Sequence, residues 1–486
     1  MQLDRSPFRV PGVGLRLAPA LVFVVLGGLL IPSGPAGAFG TVHALGQNAE
    51  HEMITRVLSC FSQKQAPTPC FRKRSMNILA GESGSFGAVG SPDIPPYLFG
   101  RPYNHCDDGD YNVIGAASYP KTEAEAHQQL LSCIKWAQTR ISWAVYWSRL
   151  LLSNGTINFQ QARTDQSCKL PNDVDGFDVN AKCAILNELG RAMHAAEDFW
   201  SHSNWADHAN PKEPVSASNQ PGLGRSDVPN YFLSSHNGSI PPDSYWKFPP
   251  NLVTGCDDSA PLSGCGDRIL HSNLSKDKGL INPNDGKTSN PDTQRGRVGN
   301  NFELAVTGAR NQTVALWNSY VNTLKYFYGN AQAELMVTAL TSDTPWTSCQ
   351  VGGRANNAYT PPAGNVSANR TVTASVVNQS GVNLSCTSAD MNYGEWGVMA
   401  PDTIGVGATG TFKALSNGSD TEGEVSYRLG SGTIGGVQGA SVVIKWNNPL
   451  IGYNSYSCRA NAGFRCTVGG QQSGNDSAPT FTVSPS

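Results

Sequence analysis

Three residues with metal-binding side chains, His194, Asp198 and His202, recur every four positions in the stretch Gly190-Arg-Ala-Met-His-Ala-Ala-Glu-Asp-Phe-Trp-Ser-His-Ser-Asn-Trp205. The apolar residues around them repeat with a helical period. The three therefore stand one above another on one helix face, and their side chains converge. Two imidazoles and a carboxylate at one point form a ligand set suited to a divalent metal such as zinc. Burying them beside Trp200 and Trp205 without a cation would be costly.

One helix does not supply enough ligands for a multinuclear site, so the remaining histidines and aspartates matter. The N-terminus carries Arg5, Arg9 and Arg16, then the apolar run Leu21 to Ile31, then Ala36-Gly37-Ala38. That order predicts a secretory signal peptide over residues 1–38, cut before Phe39. The apolar run is short for a bilayer span, and no later segment could cross one. A cleaved chain would begin Phe39-Gly40, and its free α-amino group and carbonyl could chelate a metal as a pair, with His51 following on the first helix. All 12 cysteines lie after the cut, which fits an oxidising compartment. Sequence-near partners are Cys60 with Cys70, Cys106 with Cys133, Cys168 with Cys183, Cys256 with Cys265, and Cys458 with Cys466. No C-x-x-C pair is present to suggest thiolate zinc ligation.

The elements that must position these residues follow from composition and period. A chain of 486 residues is too long for one ordinary core. With 51 Gly, 31 Pro and only 15% charged residues, it suits a secreted protein with long loops and a strand-rich part. Its net charge of −2 provides no basic footprint for nucleic acid. Helical periodicity predicts helices over Ala49 to Phe61, Glu123 to Leu152, Ala181 to His202 and Asn300 to Glu334. Asn210 to Val228 and Asn282 to Arg297 read as loops draped near the site. After Pro345 the character changes. Residues 346–368 are linker-like, and beyond them come alternating β-branched runs, Thr371 to Val377, Gly423 to Leu429 and Ala440 to Trp446. The expectation is a multidomain chain, with a mainly α-helical domain over 39–345 and an all-β sandwich over 369–486.

The string from Leu189 to Trp205 resembles the signature of the zinc-dependent phospholipase C superfamily. That superfamily also contains heterokaryon-incompatibility C-type proteins and single-strand-specific nucleases of similar fold. The resemblance implies that Asp198 bridges two metals, that His194 completes one site and that His202 begins another, with three zinc ions in all. It also implies that the mature N-terminal residue, usually Trp and here Phe39, ligates zinc through its backbone together with His51. Asp93 in Ser91-Pro-Asp-Ile-Pro95 and His105 in Tyr103-Asn-His-Cys-Asp-Asp108 match the next family element. Asp107 and Asp108 stay open as supporting partners or substitutes. The string Leu270-His-Ser-Asn-Leu-Ser-Lys-Asp277 resembles the heterokaryon-type form and gives His271 and Asp277, with His208 and Glu303 as alternatives. His43, His127 and His236 read as structural or solvated. Asp93 is the candidate general base, since the matching family residue contacts the metal-bound water.

The region from Asn369 to about Thr482 resembles the aegerolysin family of small lipid-binding β-sandwich proteins. The matching strings are Arg370 to Asn378, Gly394 to Pro401, Thr421 to Tyr427, and Val443-Ile-Lys-Trp-Asn-Asn-Pro-Leu-Ile-Gly-Tyr-Asn454. The resemblance implies that exposed aromatics, Trp396 and Tyr453 among them, sit at a membrane interface, while packing in the sandwich core is the alternative, and residue by residue the favoured, place for each. Together the two resemblances imply a secreted phospholipase C that hydrolyses phosphocholine- or phosphoethanolamine-type phospholipids with metal-activated water. The partner is then a phospholipid membrane surface, with no nucleic acid and no protein partner inferred. The alternatives are a single-strand nuclease on the same metal scaffold and a non-enzymatic, metal-stabilised surface or pore-related protein.

Overall fold

The computed structural model describes residues 39–486 apart from 44–46, 61–68, 83–84, 95–100, 116–117, 165–167, 169–179, 235–239, 259–263, 344, 346–368, 417–419 and 431–439. The segments expected to be signal peptide and linker, 1–38 and 346–368, lie outside the described residues, as does His236. Helices occupy the first part of the chain and two five-stranded sheets the last, within one compact unit over residues 35–486. Among the described residues no helix is long and apolar enough to cross a membrane.

The helices in chain order are α1 (Glu50–Thr55), α2 (Lys73–Ala80), α3 (Glu123–Ser148), α4 (Phe159–Ala162), α5 (Ala181–His202), α6 (His271–Leu274), α7 (Asn301–Tyr328) and α8 (Asn330–Thr341). Two small hairpins, β1 (Leu152–Ser153) with β2 (Thr156–Ile157) and β3 (Leu280–Ile281) with β4 (Thr288–Ser289), decorate this part. α5 starts at Asn180, whose side chain accepts the backbone N–H of Cys183 at 2.9 Å, as a helix-capping asparagine does. It is buried along nearly its whole length, so it forms the axis around which the other helices pack. α3 begins with a capping box between Thr122 and Glu125 and runs beside α5, joined to it by Arg140 and Glu188 at 3.2 Å. α7 covers another side, placing Trp317 and Tyr320 in the same core as Phe199 and Trp200.

The periodicity from Asn300 to Glu334 proves to be two helices, α7 and α8. Gly329 separates them with φ 77°, a left-handed conformation that glycine adopts without Cβ strain. The helix expected from Ala49 likewise shortens to α1 followed by a 3-10 turn over Arg56–Leu58.

The C-terminal strands are β5 (Thr371–Asn378), β6 (Leu384–Tyr393), β7 (Glu395–Val398), β8 (Thr403–Ile404), β9 (Thr409–Leu415), β10 (Thr421–Leu429), β11 (Ser441–Asn448), β12 (Ser455–Ala460), β13 (Phe464–Gln471) and β14 (Asp476–Pro485). They form sheets of order β12-β11-β10-β6-β8 and β13-β14-β5-β9-β7, antiparallel throughout except for β14 beside β5. Alternate residues point inward: Val372, Ala374 and Val376 from one sheet meet Val425, Tyr427, Ile444 and Trp446 from the other. Trp396, which the sequence left open between a membrane interface and the sandwich core, belongs to this core. It is 2% exposed, with its ring 5.6 Å from Phe412 and 5.5 Å from Trp446, because β7 turns it inward. The Cys458–Cys466 disulfide joins the edge strands β12 and β13 and so ties the sheets together. The other four expected pairs are also disulfides, and no described cysteine is free.

Candidate metal centre

Five separate segments deliver side chains to one buried place. α5 supplies His194, Asp198 and His202, all without solvent exposure, and α1 brings His51, equally buried. Asp93 ends a single 3-10 turn over Ser91–Asp93, and His105 and Asp107 follow another over Pro102–Asn104. His271 opens α6, and Asp277 lies six residues further on. Three groups of ligand atoms come within 4.8 Å of one another: His51 with His194 and Asp198, Asp93 with His105 and His194, and Asp107 with His202 and His271.

Asp198 stands at the centre. Its Oδ2 is 3.0 Å from both His105 Nδ1 and His194 Nε2, while its Oδ1 is 3.1 Å from His51 Nε2 and 3.7 Å from His202 Nε2. Each carboxylate oxygen thus faces a different pair of imidazoles. Asp93 Oδ1 lies 3.7 Å from His194 Nε2 and 3.8 Å from His105 Nδ1. On the other side, Asp107 Oδ1 is 3.0 Å from His271 Nδ1 and 3.2 Å from His202 Nδ1. Asp277 lies outside the three groups but 3.4 Å from both His202 and His271. The hydroxyls of Ser201 and Ser275 hydrogen-bond to it. Behind it a buried ion network fixes the chain: Lys276 Nζ is 3.1 Å from Asp207, which Arg295 grips with two nitrogens at 2.8 and 2.9 Å. Arg295 belongs to the second of the two loops expected to drape over the site. Phe39 is fully buried, with its ring 5.8 Å from that of His51.

Four of the atoms that face one another here lack a hydrogen-bond partner, namely His51 Nε2, Asp198 Oδ1, Asp93 Oδ1 and His202 Nε2. Each buried polar atom left unpaired costs about 1–3 kcal/mol. A set of nitrogen and oxygen donors converging without partners fits divalent cations, and with every described cysteine in a disulfide the set contains no thiolate. The charges lean the same way. Burial works against a charged His51, but Asp198 and Glu197 outweigh it and hold its pKa well above the ordinary range. Burial and His271 pull His202 down, while Asp107 and Asp198 push it up to about 10. His271 is likewise raised, against burial, by Asp107 and Asp277. Burial disfavours the Asp198 carboxylate, yet His194, His202 and His51 hold its pKa well below the usual value. His194 goes the other way, lowered chiefly by burial. The carboxylates demand positive charge, which protons or metal ions can supply.

Asp107 and Asp108 are resolved by backbone conformation. Cys106 and Asp108 both have positive φ, 56° and 65°, unusual for residues with a side chain. Such conformations persist where surrounding contacts impose them. Here the backbone N–H of Asp108 donates to Gly255 O at 2.7 Å, and Arg268 takes the Asp108 carboxylate at 3.0 Å. The alternation turns Asp107 inward and Asp108 outward. Glu303 and His208 are exposed and stay outside the cluster. His43 is exposed, and His127 packs on Tyr111 and Phe248. Sequence reasoning missed Glu197. It is fully buried, with Oε2 2.7 Å from His51 Nδ1, and its position between His194 and Asp198 was the only signal.

No family model and no curated protein matches the chain. Among solved structures it is similar to the lipid binding protein Nakanori. That likeness has 14% identity, covers 24% of this chain and 71% of the other, and has a TM-score of 0.20, too low to bear on fold or function.

Proposed function

We propose that this chain is a secreted, zinc-dependent phospholipase C that hydrolyses the phosphodiester of phosphocholine- or phosphoethanolamine-type membrane lipids. The observation that carries this reading is the convergence of unpartnered, buried imidazole and carboxylate atoms from segments as distant as His51 and His202. His51, His105, His194, His202, His271, Asp93, Asp107 and Asp198 would hold the zinc ions, with Asp277 beside them. Phe39 packs its ring 5.8 Å from that of His51, and a terminus freed by cleavage before it would join the set. Bound zinc acidifies water and neutralises phosphate oxygens during an in-line displacement. Among the residues of the three groups, Asp93 is the most exposed, at 11% of its side chain, and its unpartnered Oδ1 suits acceptance of a proton from the attacking water. The disulfides agree with secretion. The sandwich supplies attachment to lipid through its exposed Leu450-Ile451-Gly452-Tyr453 tip, where Ile451 is 88% and Tyr453 97% exposed.

The test presents the mature protein with phosphatidylcholine vesicles and, separately, single-stranded DNA, each with and without a chelator. The expected result is release of phosphocholine that a chelator stops and zinc restores, with Asp198→Asn losing bound metal and turnover together. Cleavage of DNA alone would make the chain a nuclease, and turnover of neither substrate would leave a metal-stabilised surface protein.

A further inference from the structure

We infer that Glu197 is a positioning residue that fixes which nitrogen of His51 carries the proton, so that His51 presents the bare Nε2 to the metal centre. The inference rests on the zinc-site reading, and it concerns a residue outside the ligand set.

Glu197 sits one position before Asp198 on α5, so its side chain leaves the helix about 100° away from the ligand stripe. It is fully buried, and its carboxylate touches three side chains, all without solvent exposure. Oε1 accepts the hydroxyl of Thr55 at 2.9 Å and that of Thr313 at 2.8 Å. Oε2 lies 2.7 Å from His51 Nδ1. Thr55 and His51 belong to α1 and Thr313 to α7, so one carboxylate joins three helices at the level of the metal centre. With both threonine hydroxyls donating to Oε1, Oε2 is the acceptor that faces the ring, which places a ring proton on Nδ1. A metal that displaces the other ring proton then meets the Nε2 lone pair, and it is this atom that lacks a hydrogen-bond partner and lies 3.1 Å from the equally unpartnered Asp198 Oδ1. Two basic atoms facing each other at that distance need a proton or a metal ion between or beside them. A carboxylate behind a metal-ligating histidine sets ring orientation and tautomer in this way and strengthens the ligand.

Glu197→Gln tests this with little change in volume. The amide oxygen can keep both threonine hydroxyls, which turns the NH2 group toward His51 Nδ1. That group donates, so the imidazole proton moves to Nε2, the atom that must be bare. In the full chain, the variant is expected to bind zinc about 10–100-fold more weakly in competition with a chromophoric chelator. In the zinc-loaded, 15N-labelled protein, the His51 ring should show Nδ1–H with Nε2 on the metal, and Glu197→Gln should lose that pattern. Thr313→Val, which removes one of the two hydroxyls steadying Oε1, should give a smaller loss of affinity and retain the Nδ1–H pattern. It provides a second reading should the first variant not fold. Wild-type zinc affinity in folded Glu197→Gln, unchanged His51 ring signals, or equal losses in both variants would overturn the inference. Affinity and ring signals are read without substrate. A chain that binds zinc in this manner and hydrolyses nothing would remove the proposed function and leave the role of Glu197 standing.

Discussion

At the scale of single residues, the centre is a contest between protons and metal ions for the same lone pairs. With no metal, His51, His202 and His271 are raised because Asp107, Asp198, Asp277 and Glu197 surround them in a medium that screens little. A histidine whose folded pKa exceeds its ordinary 6.5 contributes stability in full below 6.5. That contribution disappears as pH rises through the folded value, about 10 for His202. The lowered carboxylates Asp107 and Asp198 act oppositely: their contribution is present above the ordinary 3.8 and lost as pH falls below it. Chelated protein is therefore expected to lose melting temperature between pH 6.5 and 10. Zinc-loaded protein should lose far less over that window, because deprotonation frees the ligands that the ions need. Calorimetry of both forms checks this. A chelated protein whose melting temperature holds level or rises across the window would show that the imidazoles are not charged partners of these carboxylates.

At the scale of elements, the centre depends on how closely α5 approaches its neighbours. Gly190, four residues before His194, packs against the segment that leads to Asp93. A Cβ there would stand 2.5 Å from the carbonyl carbon and Cβ of Ala88 and 2.6 Å from Val89 N. Backbone cannot rotate aside as a side chain can, so Gly190→Ala should push residues 88–93 away from α5. The expected cost is about 1–3 kcal/mol by urea unfolding, as for other overpacked cores. A fall in turnover larger than the fall in zinc content should accompany it, since Asp93 moves while His51, His194 and Asp198 remain. Unchanged stability would mean that the segment yields freely. The ligand face of α5 was legible in the sequence because a four-residue repeat inside an apolar period admits few other conformations. The sandwich strands were legible because period-two alternation is a direct record of an inside and an outside. What the sequence concealed depends on packing partners. Asp107 differs from Asp108 only through backbone turns held by Gly255 and Arg268, and Glu197 acquires its role only when Thr55 and Thr313 close on it from two other helices. The place of Trp396 stayed open between interface and core because an aromatic in a strand looks the same whether its face is wet or dry.

At the scale of the whole molecule, the sandwich leans on the same short helix that supports the approach to the centre. Asp343 accepts the backbone N–H groups of Arg74 and Ser75 at 2.9 and 2.8 Å, capping α2 from a distant part of the chain. The Arg74 guanidinium then donates to the carbonyls of Asn392 and Gly394 at 3.1 and 2.7 Å, and Lys73 lies 4.0 Å from the centre of the Tyr393 ring. Carbonyl acceptors have no side-chain identity, which is why this docking left no trace in the sequence. The tip between β11 and β12 points the other way in character, apolar and exposed on a firm base. Leu450 N donates to Asp420 at 2.6 Å, its carbonyl accepts from Arg370 at 2.9 Å, and Asn454 donates to Gly474 O at 2.9 Å. A rigid loop presenting Ile451 and Tyr453 loses little conformational freedom when it enters a lipid interface. Burying each apolar side chain there contributes up to about 1.5–3 kcal/mol. Ile451→Ser with Tyr453→Ser should therefore weaken co-sedimentation with phosphatidylcholine vesicles by about tenfold or more, given 1.4 kcal/mol per decade. Zinc content and hydrolysis of a short-chain soluble phosphodiester should stay at wild-type levels, because the tip lies on the sandwich and contributes no ligand. Equal vesicle binding by the double variant and the wild type would show that the tip does not face lipid. A parallel loss on the soluble substrate would show that tip and centre are one functional unit.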